Sequence, residues 1–157
     1  MELIRRFDAD TFARGLADWA WLLGGRELQP IAVSIFGDVF LQGGDGVWYL
    51  DSLEGTLTLE WPDSRALEAV LDTAEGQDQY LLGGIAVGAQ QRGIVPGPDQ
   101  ILMFSVHPAL GGPVSADNVE AMDYVVASSI CGQLRRQLKD RPPGALITGV
   151  TVDEPPT

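Results

Sequence analysis

Only one cysteine and one histidine occur in these 157 residues. Cys131 alone closes no internal disulfide, and a single thiol fits a reducing cytoplasm. Together with His107 it is too little to build a Cys/His zinc cluster. No apolar run approaches the ~20 residues that a membrane helix requires. No apolar segment follows the opening Met-Glu-Leu-Ile-Arg-Arg, so a secretory signal is not expected. Two motifs are also missing: a Gly-x4-Gly-Lys-[Ser/Thr] loop for phosphates, and a Gly-x-Ser-x-Gly elbow for a nucleophilic serine. Gly83-Gly84-Ile85-Ala86-Val87-Gly88 lacks both the spacing and the preceding strand of a dinucleotide-binding turn, and reads as a small-residue packing face.

Positive charge is scarce through most of the chain. Asp and Glu number 22 against 10 Lys and Arg, a formal net charge of −12. The cations gather at the two ends, in Arg5, Arg6, Arg14 and Arg26 and in Arg135, Arg136, Lys139 and Arg141. Between Glu27 and Gln133, 15 carboxylates face only Arg65 and Arg92. Such a stretch repels nucleic acid and anionic lipid and attracts basic proteins.

The length fits one domain spanning 1–157, able to bury roughly 70% of its unfolded surface without staples. Residues 8–23 read as an amphipathic helix, with Phe12, Leu16, Trp19 and Leu23 inward and Gly24-Gly25 as its stop. Residues 31–61 read as an antiparallel β-meander punctuated by Gly37-Asp38, Gly43-Gly44-Asp45-Gly46 and Ser52 to Gly55. In its last strand Leu57, Leu59 and Trp61 share the buried face. A helix follows from 64 to about 73, and a weaker one over 78–91. Residues 101–106 form a short strand and 108–118 a loop. Met122, Val126, Ile130, Leu134 and Leu138 define a buried stripe on a helix over about 123–139. Pro142-Pro143-Gly144 ends it, 147–152 adds an edge strand, and 153–157 is a frayed tail. The fold class is therefore α+β: an antiparallel meander covered by helices.

Chemistry-bearing groups are few. His107 precedes Pro108 at a strand end, a usual place for a hydrogen-bonded structural histidine. Cys131, between Ile130 and Leu134, reads as a small buried hydrophobe. Asp45, Asp51 and Glu54 lie close in sequence around the meander turns; they are either solvated turn acids or ligands of a hard cation. Among the tryptophans, Trp21 and Trp48 sit off the inward faces of their elements. Each is either core or an exposed anchor beside acids.

The second half resembles a known family. Its residues are Pro96-Gly97-Pro98-Asp99-Gln100, Pro108-Ala109-Leu110-Gly111-Gly112, Asn118 to Asp123, and Ile130-Cys131-Gly132-Gln133 with Gln137 and Pro143-Gly144. Gly37-Asp38-Val39-Phe40, Asp51 and Glu54-Gly55 fit the same pattern. These resemble the type VI secretion immunity proteins of the Tdi kind, which neutralise a DNase toxin in the producing cell. The resemblance covers about residues 30–147 and is most specific from Leu110 to Gln133. It implies an α+β domain, no known enzymatic activity and, by analogy, a protein partner.

The expectation is a non-enzymatic, cytoplasmic binding protein with no cofactor and no metal, whose partner is a basic, nuclease-like toxin. Its contact acids are Asp38, Asp45, Asp51, Glu54 and Asp99, with Trp48 as anchor. Two other classes stay open. A deep pocket holding two buried acids favours a small-molecule or metal-dependent enzyme. A large apolar patch favours a self-associating structural module.

Overall fold

Short alternating apolar segments separated by glycine-bearing turns give four consecutive antiparallel strands: β2 (Gln29–Ser34), β3 (Val39–Gly43), β4 (Gly46–Asp51) and β5 (Thr56–Trp61). This computed structural model describes residues 1–141 and 149–155. A two-residue strand, β1 (Ile4–Arg5), pairs antiparallel with the other edge of β2, giving the sheet order β1-β2-β3-β4-β5. A separate hairpin joins β6 (Gln100–Phe104) to β7 (Val119–Asp123).

Helices cover both faces of the five-stranded sheet. Val33, Val39, Leu41 and Leu50 point to one face. They pack there with Phe12 and Leu16 of α1 (Ala9–Leu16), with Trp19, and with Tyr124, Val125 and Ala127 of α6 (Tyr124–Leu138). Ala32, Phe40, Val47, Tyr49 and Trp61 serve the other face, against Leu67 of α3 (Ser64–Leu71) and Leu81 of α4 (Ala74–Leu81). A third cluster holds Ile35, Phe36, Leu102, Phe104 and Val119 against Ala86 and Ala89 of α5 (Gly83–Gln91). The α+β meander covered by helices is thus observed as a single domain. No helix among the described residues is long and apolar enough to cross a membrane.

Several elements differ from the sequence expectation, each for a physical reason. The first helix is broken by a 3-10 turn over Ala17–Trp19, before α2 (Ala20–Leu23). The tighter winding changes the helical phase. Trp19 and Trp21 then both reach α6: the Trp19 indole N–H donates to Ser128 O at 3.1 Å, and that of Trp21 to Gly132 O at 3.1 Å. The weak helix of 78–91 is two helices divided at Leu82, which takes φ 50. In β5, Val47 pairs with Trp61 and Trp48 with Leu59, leaving Glu60 as the extra residue of a bulge. A bulge reverses the alternation of faces. Leu57 packs on the α1/α6 side, Trp61 on the α3 side, and Leu59 is 47% exposed.

The stripe on α6 is also corrected. Leu134 and Leu138 are buried, but Met122 belongs to β7, and Val126 and Ile130 are half-buried. The buried face carries Tyr124, Ser128, Ser129, Gly132 and Gln133 instead. Small residues let helix backbones approach closely, so this face has little hydrophobic signature. A β-carbon on Gly132 would lie 2.7 Å from Asp18 O.

Pro142-Pro143-Gly144 and residues 147–148 of the expected edge strand lie outside the described residues. Residues 149–152 are not a strand. The tail expected to fray over 153–157 is held at Asp153, and Thr151 before it is held as well. Gln133 accepts from Asp153 N at 2.7 Å and donates to Asp153 O at 2.8 Å. Gln137 does the same for Thr151, at 3.0 and 2.6 Å.

Candidate functional site

Antiparallel pairing of Val39 with Leu50 brings the turn before β3 and the turn after β4 to the same end of the sheet. A cleft opens there, of about 640 Å3 including the solvent at its mouth. Its walls come from Phe36 and Asp38 of the first turn, Asp51 to Glu54 of the second, Tyr49, Gln79, Leu82, Met103 and Phe104, with His107 and Cys131 completing it. Phe36 and Phe104 stack at 5.3 Å.

Both turns are built by side chain to backbone bonds. Asp38 Oδ1 accepts the Ser52 backbone N–H and the Ser52 hydroxyl, each at 2.8 Å, and Oδ2 accepts the Ser34 hydroxyl at 3.2 Å. Asp51 Oδ1 accepts the N–H groups of Leu53 and Glu54, each at 3.0 Å. Arg135 Nε donates to Leu53 O at 2.8 Å, and Nη2 to the same oxygen, which ties α6 to the second turn.

The electrostatics follow from burial. Asp38 is 6% exposed, and burial, with the Asp51 charge behind it, pushes its carboxyl up to about 7. Burial also raises the Tyr49 phenol, with Asp38 and Asp51 adding to the effect. The Cys131 thiol is pushed up to about 12, chiefly by burial, so it is no thiolate nucleophile at neutral pH. Burial and then the Arg135 charge hold His107 down to about 4. Its Nδ1 accepts the Ala109 N–H at 3.0 Å, so the neutral ring carries its proton on Nε2. That nitrogen is buried and has no hydrogen-bond partner among the described residues. His107 thus holds the structural position read from sequence, accepting the Ala109 N–H, and it also lines the cleft.

The expected contact acids do not form one face. Asp38 is not an exposed contact acid: the Ser34 and Ser52 bonds draw it into the floor of the cleft. Asp51 is half-buried in the wall and Glu54 is exposed at the rim. Asp45 lies at the opposite end of β4, about 20 Å away at ~3.3 Å per residue. There Asp45 Oδ1 accepts the Trp48 indole N–H at 2.9 Å, and the Arg26 guanidinium lies 5.3 Å above the ring. Trp48 is half-buried against the core and lies away from the cleft. Asp99 is exposed beside β6 and does not line the cleft; its carbonyl accepts the Tyr124 N–H.

The residues of the Leu110 to Gln133 motif are structural. Pro108 starts a 3-10 turn that ends at Gly111, with φ 95, while Leu110 is 44% exposed. Gly112 passes so close to Val106 that an added β-carbon would meet its carbonyl at 1.7 Å. Asn118 accepts from Val106 N at 3.0 Å and donates to Val106 O at 2.8 Å and Pro113 O at 3.0 Å. Asp123 caps α6 by accepting the Val126 N–H. Among the described residues no three His, Cys, Asp or Glu side chains gather to hold a metal ion.

Sequence reasoning missed Tyr49 and the cleft face of His107. The signal was the strand register: paired turns at residues 36–38 and 51–54 must share one end of the sheet.

No protein-family model matches the chain, and no curated protein matches it in sequence. Its fold is similar to that of Atu4351 from Agrobacterium tumefaciens, with a TM-score of 0.58 and 18% sequence identity. The match covers 83% of this chain and 66% of that one, so this chain spans less than two thirds of that protein's length. At this identity the likeness shows the fold alone.

Proposed function

We propose that this is a non-enzymatic, cytoplasmic immunity-type protein that neutralises a basic, nuclease-like toxin by occupying its cationic surface. The observation that carries this reading is the acidic end of the sheet. Asp51 in the wall and Glu54 at the rim of one cleft stand above the buried Asp38, and none of them forms an ion pair with a described residue. The resemblance of Leu110 to Gln133 to the Tdi-type immunity proteins supports the same reading. A carboxylate-rich surface speeds encounter with a basic partner and discriminates against others.

The test is binding kinetics against a basic protein encoded by the neighbouring gene, over a salt series. Exposed charges are screened within ~8 Å at physiological salt. Association therefore slows steeply as salt rises, while dissociation changes less. Glu54→Lys slows association further, and Asp45→Lys at the far end of β4 leaves it nearly unchanged. An association rate indifferent to salt and to Glu54→Lys would overturn the electrostatic mechanism. Absence of any binding would overturn the immunity reading.

One observation favours a second reading, a small-molecule enzyme using paired carboxylates: a real cleft holds Asp38 and Asp51. Against it, His107 is a poor base at its lowered pKa, and Cys131 stays protonated. Turnover of a small substrate, abolished by Asp38→Asn, would establish that reading instead.

A further inference from the structure

The cleft contains a mismatch. Two acids, Asp38 and Asp51, line it; the Asp51 charge helps to raise Asp38, and neither forms an ion pair with a described residue, the Arg135 guanidinium being held on the Leu53 carbonyl. Hydrogen bonding leaves capacity unused at one of them. Asp51 Oδ2 receives no described bond, although a carboxylate offers about four acceptor sites; Asp38, already bonded by Ser34 and Ser52, has the Tyr49 phenol beside it. Independently, the Nε2–H of His107, a side chain 6% exposed that lines the same cleft, is buried without an acceptor among the described residues. A buried donor without a partner is costly, and a half-buried carboxylate with one oxygen unbonded favours a charged donor. One occupant would answer both: a cation with several donors, carried on an apolar stem, with a carbonyl oxygen nearby.

The geometry points to this cleft as the receptor for an arginine side chain of the protein partner. The guanidinium donates to the free Oδ2 of Asp51. Its methylene stem lies along Leu53, Met103 and Phe36, and the His107 Nε2–H donates to a main-chain carbonyl of the arginine segment. A guanidinium suits the place better than an ammonium. Its planar fork matches a carboxylate, and its weaker hydration survives partial burial. A metal ion is a poorer match, because no group of three or more ligating side chains is assembled among the described residues. This inference rests on the partner-binding reading above and assigns that surface its central contact.

The experiment uses the whole chain and no toxin, so its result is independent of whether a toxin is captured. N-acetyl-arginine methylamide is titrated at low salt, with the His107 ring signals and backbone amides followed by NMR. N-acetyl-citrulline methylamide serves as the neutral isostere. The expected result is saturable movement of the His107 ring and of the amides of residues 51–54, with citrulline binding at least ten-fold more weakly. Asp51→Asn keeps the oxygen that accepts the Leu53 and Glu54 N–H groups, so the turn is retained. It weakens the arginine probe about ten-fold and leaves the citrulline probe unchanged. Equal binding of the two probes, or shifts confined to the Asp45 and Trp48 end, would overturn the proposal. Agmatine binding ten-fold more tightly than the capped arginine would also overturn it, because the cleft would then serve a free small cation.

Discussion

Asp38 and Ser52, 14 residues apart, are joined twice: one carboxylate oxygen accepts both the backbone N–H and the hydroxyl of Ser52 at 2.8 Å. This pair holds the two turns at the acidic end of the sheet together. Asp38→Ala leaves the Ser52 N–H unpaired inside the protein and should cost roughly 2–4 kcal/mol. Asp38→Asn keeps an oxygen for Ser52 and removes the buried charge, so it should cost far less at neutral pH. Urea denaturation of both variants checks the order; equal losses would mean that the charge, not the acceptor, matters.

The pH dependence of stability contains two opposing contributions. Asp38 is raised from 3.8 to about 7, so between these values the folded state holds a proton that the unfolded state has lost, and stability falls as pH rises. His107 is lowered from 6.5 to about 4, so between these values the unfolded state holds the extra proton, and stability rises with pH. Each slope is about 1.4 kcal/mol per pH unit, and over pH 4–6.5 they largely cancel. Asp38→Asn should expose the rising slope and His107→Asn the falling one. Denaturation at pH 4.5, 5.5 and 6.5 reads both, and parallel curves for the two variants would contradict these assignments.

Gly111 and Gly112 are adjacent but should respond differently. Gly111 has a positive φ with open space around it, so Gly111→Ala should cost only ~1 kcal/mol. Gly112→Val would drive its β-carbon into the Val106 carbonyl and disturb the Asn118 bridge. A loss of roughly 3 kcal/mol is expected. Thermal melts of the two variants give the comparison, and a smaller loss for Gly112→Val would refute the steric account.

Gly132→Ala tests how closely α6 is seated. The new methyl meets Asp18 O at 2.7 Å, and the adjacent Trp21 indole bond to Gly132 O is strained with it. Stability should fall by ~2 kcal/mol, and tryptophan fluorescence should shift as Trp21 moves. Unchanged emission would show that the contact relaxes freely.

The meander is legible in the sequence because alternation and glycine-bearing turns are local signals. The bulge at Glu60 is not, because nothing in the Thr56–Trp61 alternation marks the extra residue. The face of α6 is hidden for a related reason: Ser128, Gly132 and Gln133 are buried through close backbone approach and hydrogen bonding, which hydrophobic periodicity does not register. For the site, Asp51 and Glu54 are found from sequence, but Asp45 is grouped with them by nearness along the chain. A strand between two turns carries them to opposite ends. Asp38 is recognisable as a turn residue, yet its burial depends on Ser52, which only the pairing of β3 with β4 brings to it.

The glutamine clamp on the tail carries its own consequence. Gln133 and Gln137 are one helical turn apart, a rise of about 6 Å, and they grip Asp153 and Thr151, separated by about 6.6 Å of extended chain. The two spacings nearly coincide, so the helix acts as a two-rung ruler laid against a peptide. Because only main-chain atoms are held, the grip is blind to side-chain identity. Substitutions at 151 and 153 therefore leave the four bonds in place, with one exception. Proline, which has no N–H to offer, would be refused at either rung.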